Sequence, residues 1–151
     1  MSLGVTASGR RNIKDGSQYN SYFSDTIGTN PLVAKKADVF ETLEFIDQLV
    51  KNTVGQTAKI AKVLKGSTLD ETCRKIFSFF YTHYQYKLDK QGEEQLRTPS
   101  RAWKDRKTGI DCDCFAISVS SVLTNLGIKH AYRICEIANK GYYQHIYIVV
   151  P

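Results

Sequence analysis

The sequence predicts an α+β fold in which helices come first and a short antiparallel hairpin closes the chain. Apolar residues recur at helical spacing through much of the segment 35–126, whereas the last segments alternate like strands. A turn-forming Asn-Lys-Gly at 139–141 separates the two alternating segments. Helices followed by strands are typical of α+β proteins, and a length of 151 residues favours one domain.

The N-terminal segment 1–34 differs in composition from the rest of the chain. It is rich in Gly, Ser, Thr and Asn and has no helical period. We therefore predict an extended or disordered arm over 1–34 and a folded domain over 35–151. Tyr19, Tyr22 and Phe23 are candidates for anchoring this arm to a surface.

Three helices are predicted in the first half of the domain. The first carries an apolar stripe formed by Val39, Leu43, Ile46 and Val50. A shorter helix follows and ends at Gly66. The third opens with a capping box between Thr68 and Glu71. Its predicted apolar face consists of Leu69, Cys73, Ile76, Phe77 and Phe80. The polar segment 85–110 is predicted to be a long loop, and loops of that length often carry function.

A further helix is predicted to begin with Asp111 as its N-cap and to stop at Gly127. Its inward-facing residues are predicted to be Phe115, Val119, Val122, Leu123 and Leu126. The alternating segments after it predict two strands paired as an antiparallel hairpin. The small sheet and the helices before it would then enclose a central helix that bears two cysteines.

Composition argues against several classes of partner. The formal net charge is +6, but Lys and Arg are spread along the chain and mixed with acids, which favours solvated surface charge over nucleic-acid binding. No apolar run is long enough to span a bilayer, and the first residues lack the apolar block of a signal peptide. We expect a cytoplasmic protein without a membrane partner, its four cysteines reduced.

The stretch Asp-Cys-Asp-Cys at 111–114 is the most informative motif in the chain. A nucleophile, a metal site, a redox pair and an ordinary buried pair are all compatible with it. Cys112 would lie at the very start of the helix, where unpaired N–H groups and the helix dipole favour a thiolate. Asp111 and Asp113 oppose this effect because neighbouring carboxylates disfavour negative charge on sulfur. A nucleophilic Cys112 would therefore need an imidazole partner.

Three histidines are available as that partner. His83 ends an aromatic-rich helix and is interpreted as structural, whereas His130 is predicted to be exposed at a strand start. His145 lies within the second strand, and the hairpin can bring it to the head of the cysteine helix.

The second cysteine of the motif is predicted to have a different role. Cys114 lies about 200° around the helix from Cys112, which favours core packing. Zinc binding by this pair with His145 and Cys135 is disfavoured by the short spacing, and a disulfide within the pair would strain the helix. We therefore predict no metal and no cofactor.

The motif and its surroundings resemble the transglutaminase-like superfamily, a papain-related group. The similar elements are Gly-Ile-Asp-Cys-Asp-Cys-Phe-Ala at 109–116, Leu-Gly-Ile at 126–128 and Gln-His-Ile-Tyr at 144–147. The resemblance covers roughly Thr68 to Pro151 and is most similar to bacterial and phage-type members. It implies that Cys112 is the nucleophile and His145 the general base, with Tyr147 at the position of the family's aromatic residue.

This resemblance implies acyl chemistry on a protein or peptide substrate. A cysteine protease or amidase is favoured over an amine-transferring enzyme, with a thioester intermediate in both cases. The N–H of Cys112 would hold the oxyanion, and Gln95 and Trp103 are candidates for lining the cleft.

The chain also departs from the family pattern, which leaves a second function open. Cys114 stands where the family has a second Asp, and the family's third residue, an Asp or Asn, would lie beyond Pro151. We therefore expect the domain to be truncated. The alternative function is an inactive domain that serves as a binding or structural module.

Overall fold

The computed structural model describes residues 10–24, 32–35, 39–89, 93–136, 141 and 145–151. Within them the chain forms five α-helices: α1 (Val39–Thr53), α2 (Ala58–Leu64), α3 (Leu69–His83), α4 (Pro99–Asp105) and α5 (Cys112–Asn125). The strands are β1 (Leu32–Lys35), β2 (Glu93–Leu96), β3 (Ala131–Cys135) and β4 (His145–Val149). Two 3₁₀ helices cover Ser17–Tyr22 and Val54–Thr57. The predicted α+β class is confirmed.

Each pair of described strands forms a small antiparallel sheet. In the first sheet β1 pairs with β2, and Leu32 lies opposite Leu96. In the second, β3 pairs with β4, and Cys135 lies opposite His145. The predicted C-terminal hairpin is therefore confirmed, although most of its predicted turn at 139–141 lies outside the described residues.

Helix α5 lies at the centre of the molecule, between two apolar clusters. The first cluster contains the aromatic residues of α3 and α4 and includes Cys114, Val122 and Leu123 from α5. The second cluster joins α5 to α1, β2 and β4 through Cys112, Ala116 and Ile117. Because both clusters share this helix, it is buried over most of its circumference, and its small serine and alanine side chains allow close approach.

The helix ends follow the sequence closely. Thr68 accepts a hydrogen bond from the N–H of Glu71 at 3.1 Å, as the capping box predicts. Gly127 has a φ of 68°, and the N–H of Ile128 returns to the carbonyl of Leu123 at 3.0 Å. A left-handed glycine with this return bond ends α5 without a steric penalty.

The described residues of the N-terminal segment, 10–24 and 32–34, make more contacts than the predicted extended or disordered arm over 1–34 implies. Residues 10–24 pack against the helices, and β1 pairs with β2. Phe23 is only 6% exposed and stacks on Trp103 with 4.6 Å between ring centroids. Arg11 donates to the carbonyls of Tyr81 and Tyr84 at 2.8 and 2.6 Å. A few aromatic and cationic contacts thus order a segment whose composition resembles that of a disordered chain.

The predicted long loop over 85–110 also contains regular structure. It holds β2 and the short helix α4, which begins at Pro99 after an N-cap at Thr98. The hydroxyl of Thr98 accepts a hydrogen bond from the N–H of Arg101 at 3.3 Å. Proline in the first turn after a threonine cap is a helix-start pattern that the sequence contains and the prediction overlooked.

The apolar face predicted for α3 is confirmed at Ile76 and Phe80, which are buried, but it omits Phe79 and includes exposed residues. Phe79 is buried, whereas Leu69 and Phe77 are 49% and 69% exposed. Packing against the segment that ends at Phe23 selects Phe79 for the core. The exposed Phe77 then lies beside the cavity described below.

Candidate functional site

The start of α5 is fixed by three hydrogen bonds to Asp111, the predicted N-cap. Its carboxylate accepts the N–H of Cys112 at 2.7 Å, the hydroxyl of Tyr86 at 3.0 Å and the N–H of Asp89 at 3.0 Å. A bridge between Tyr86 and Ile110 holds the same two segments together. The cysteine is therefore carried by a rigid corner and not by a loop.

Cys112 is buried and its thiol is protonated at neutral pH. The side chain is 7% exposed, and Sγ donates to Oδ1 of Asp113 at 3.2 Å. Burial raises the pKa of this thiol far above its usual range, and the charges of Asp113 and Asp111 raise it further. The backbone N–H of Ile146 beside the sulfur opposes this shift in pKa. The carboxylates predicted to oppose thiolate formation thus do so.

The predicted oxyanion role of the Cys112 N–H does not fit this geometry. That N–H already donates to the Asp111 carboxylate at 2.7 Å. A charged acceptor at this distance makes a strong hydrogen bond. In this arrangement the N–H is engaged by the cap, whereas the N–H of Ile146 is directed at the sulfur.

A cavity of about 450 Å³ opens beside Cys112. Helix α3, one face of α5 and strand β4 form its walls. Cys112 and His145 both line it, together with many apolar side chains, including Ile76, Phe80, Phe115, Val119, Leu123 and Ile148. An apolar cavity with a few polar groups is the usual form of a ligand or active site.

His145 occupies the first position of β4, one residue before Ile146, which packs in the same cluster as Cys112. Its imidazole stacks on Tyr147 with 5.7 Å between ring centroids. Among the described residues, no hydrogen bond joins this imidazole to Sγ of Cys112. Both predicted catalytic residues thus border the same cavity, and they are not a hydrogen-bonded pair in this structure.

Cys114 is fully buried and belongs to a separate polar network. Its thiol donates to the carbonyl of Gln95 at 3.1 Å, and Arg97 donates to its sulfur at 3.5 Å. Burial raises the pKa of Cys114 to about 11, and Arg97 acts in the opposite direction. The same guanidinium donates to Asp105 at 2.8 Å. This position fits the core role predicted for Cys114.

Gln95 and Trp103, the candidates for cleft lining, both lie away from the cavity wall. The amide oxygen of Gln95 accepts a hydrogen bond from Arg97 at 2.8 Å. Trp103 is 3% exposed, stacks on Phe23, and donates its indole N–H to Asn20 at 2.9 Å. Helix α4 turns this indole into the aromatic cluster, so both residues have structural partners and no contact with the cavity.

The two other histidines have partners of their own. His83 is buried, contacts the carbonyl of Lys14 at 3.1 Å and has a pKa lowered by burial, as its structural interpretation implies. His130 was predicted to be exposed, but it is half-buried. Its ring nitrogens contact Ser120 Oγ at 2.7 Å and the Ile128 carbonyl at 2.8 Å. The hydroxyl of Ser120 on α5 is therefore a partner for His130 that strand alternation alone did not predict.

The alternative sites considered for the cysteines have no counterpart among the described residues. All four cysteines are free thiols. Within the described part of the chain, no group of three His, Cys, Asp or Glu side chains is placed to hold a metal ion.

Sequence reasoning placed many of the wall residues on apolar helix faces but did not predict the cavity itself. Phe77 and Tyr81 of α3 stack with 5.7 Å between centroids, and both line the cavity from its exposed side. Arg11 also lines it, with its guanidinium over the Tyr81 ring at 4.3 Å. The available clue was the presence of two aromatic residues one turn apart on α3. Such a pair lies side by side on the helix surface, and an exposed apolar patch of this kind often marks a binding site.

Comparison with protein-family models, curated proteins and solved structures gave no match. None of the helices in the described residues has the length and apolar character needed to cross a membrane. The functional interpretation therefore depends on the geometry of the cavity and the chemistry of its side chains.

Proposed function

We propose that this domain carries out thiol-dependent acyl chemistry, with Cys112 as nucleophile and His145 as general base, and with hydrolysis favoured over amine transfer. The observation that carries the proposal is that these two residues line one cavity, at the head of a helix and at the start of a strand. The same arrangement is what a transglutaminase-like core would provide, and we include that fold in the proposal.

The chemistry starts from a neutral thiol, because burial and two carboxylates raise the pKa of Cys112. The sulfur attacks the carbonyl carbon of an amide or peptide as its proton passes to the His145 imidazole. The C–N bond then breaks, and the imidazolium gives its proton to the departing amine. Water attacks the resulting thioester, with His145 as base, and releases the acid and the thiol. A substrate that displaces the Sγ–Asp113 hydrogen bond would bring sulfur and imidazole together, since such bonds often tighten only in the complex.

A second candidate is a binding module that keeps the same core without turnover. The protonated thiol and the hydrogen bond from Sγ to Asp113 favour it, because both lower the population of the nucleophile. Under this alternative the cavity holds an apolar ligand, and Cys112 acts as a small buried side chain.

Trapping of the acyl-enzyme separates the two candidates. The wild-type protein is incubated with peptide amides and an activated acyl donor, and its intact mass is followed. The proposal predicts one acyl group on Cys112, its absence in Cys112→Ala, and slow formation in His145→Gln. Cys135→Ala is the matched control, because Cys135 is half-buried on β3 and is not a cavity residue. Absence of acylation in the wild type, with folded protein by circular dichroism, would leave the binding module as the function.

Competition between water and an amine distinguishes hydrolysis from transfer. Addition of glycine ethyl ester to a turning-over reaction would divert the thioester to an amide product if amine transfer dominates. We expect mainly the free acid, because the proposal favours hydrolysis.

A further inference from the structure

We propose that the cavity binds the aliphatic acyl chain of the substrate, so that the preferred substrates are esters or thioesters of medium-length fatty acids. This inference rests on the proposed function, because it places the carbonyl of that chain at Cys112. It adds a substrate class that the cysteine motif does not indicate.

The interior of the cavity is apolar on every wall. Helix α3 contributes Ile76 and Phe80, the central helix contributes Val119 and Leu123, and the last strand contributes Ile148. Each methylene moved from water to such a surface gains about 0.8 kcal/mol, which is about a fourfold gain in affinity. An extended hydrocarbon chain therefore gains affinity along the whole length of this surface.

The polar groups at the cavity already have partners or face solvent. The guanidinium of Arg11 donates to the carbonyls of Tyr81 and Tyr84. The hydroxyl of Tyr86 donates to Asp111 at 3.0 Å. Tyr81 and Tyr147 are 37% and 38% exposed, so they lie at the mouth of the cavity. Most of the remaining lining is hydrocarbon, and the thiol of Cys112 and the imidazole of His145 border the same space.

A peptide backbone suits this interior less well than an acyl chain. Each amide group that enters without a hydrogen-bond partner lowers the affinity, because its hydrogen bonds to water are lost and not replaced. A volume of about 450 Å³ also falls within the range of small-molecule sites. One ester carbonyl at the thiol end and a hydrocarbon tail toward Val119 and Leu123 satisfy both constraints.

The reaction is balanced without any further reagent except water. The Cys112 sulfur forms a bond to the ester carbonyl carbon, and the ester C–O bond breaks. The alkoxide takes the thiol proton through His145 and leaves as an alcohol. Water then cleaves the thioester, which releases the fatty acid and restores the thiol.

The test is a chain-length series of p-nitrophenyl esters from acetate through butyrate to octanoate. We expect kcat/KM of the wild type to rise about fourfold per buried methylene and to vanish in Cys112→Ala. Val119→Trp should fill the cavity and remove the gain from chain length. Val63→Trp is the matched control, because Val63 is exposed on α2 and is not a cavity residue. If Val119→Trp does not fold, Leu123→Ala serves instead, and its enlarged cavity should move the optimum to longer chains.

Octanoate binding to Cys112→Ala, measured by calorimetry, separates this inference from the proposed function. Saturable binding that Val119→Trp abolishes in the same background supports the acyl-chain site, even if no ester is turned over and the proposed function fails. Cys112-dependent turnover with equal kcat/KM for acetate and octanoate, and no octanoate binding, overturns the acyl-chain site and leaves the proposed function standing.

Discussion

Burial and the charge of Asp113 both raise the pKa of the proposed nucleophile, Cys112, and substitution of Asp113 tests the contribution of the charge. Oδ1 of Asp113 accepts a hydrogen bond from Sγ of Cys112 at 3.2 Å. In Asp113→Asn the negative charge is removed while the shape of the side chain is kept. The pKa of Cys112 should therefore fall, and more thiolate should be present at pH 7.

The size of this effect follows from the separation of the two charges. Two unit charges at the observed separation interact by about 1.3 kcal/mol even with the dielectric constant of water, and by more in a buried site. We therefore expect at least about a tenfold rise in the thiolate population. The fold-change in the rate of iodoacetamide labelling of Cys112, followed by peptide mass spectrometry from pH 6 to 10, measures it.

The controls use the same charge change elsewhere on the molecule. Asp70→Asn removes an exposed carboxylate that pairs with Arg74, and it should leave the labelling rate of Cys112 unchanged.

A second test variant is Asp111→Asn, which keeps a capping side chain and removes the other carboxylate charge near Cys112, so it should also raise the labelling rate. Equal labelling rates for wild type and Asp113→Asn, with both proteins folded, would refute the electrostatic explanation of the raised pKa.

Three further predictions concern stability, each measured by denaturant unfolding. Trp103→Ala should lower the free energy of unfolding by about 3–5 kcal/mol, because it removes the ring that stacks on Phe23 and leaves a cavity in the aromatic cluster. Gly109→Ala should cost more than about 1 kcal/mol, because φ is 122° and a Cβ would lie 2.5 Å from Cβ of Lys87. The pKa of Cys114 is about 11 in the folded protein, whereas an unfolded thiol has a pKa near 9. The free energy of unfolding should therefore fall as the pH rises from about 9 to about 11. This fall should be smaller in Cys114→Ala. An unchanged slope in that variant, or full stability in either of the others, would contradict the corresponding reasoning.

Local rules were sufficient to predict the head of α5. A carboxylate cap at Asp111, a glycine stop at Gly127 and two alternating segments specify a helix followed by a hairpin, and the structure has both. These features depend on residues close in sequence, so their physics can be evaluated before the fold is known. That Cys112 and His145 line one cavity depends on the hairpin as well; their catalytic pairing stays a prediction, which the family resemblance suggested.

The features that sequence reasoning missed are set by contacts between distant segments. Phe23 is buried because it meets Trp103 and Phe79, and no periodicity within its own segment indicates this. The guanidinium of Arg97 donates to both Cys114 and Asp105. These three residues lie in separate stretches of the sequence, so the sequence pattern does not predict their contact. Such tertiary partners also decide which residues of α3 are buried, so periodicity alone identified Ile76 and Phe80 but missed Phe79.

The ordered stretch from Arg10 to Ser24 changes where the independently folding unit begins. Phe23 closes the aromatic cluster, Arg106 donates to the Asp15 carbonyl at 2.9 Å, and Arg11 forms part of the cavity wall. A fragment that starts at Lys35 would expose the Trp103 face to water and lose part of the proposed binding surface. Any shortened version made for crystallisation or screening therefore has to retain the chain from Arg10 onward.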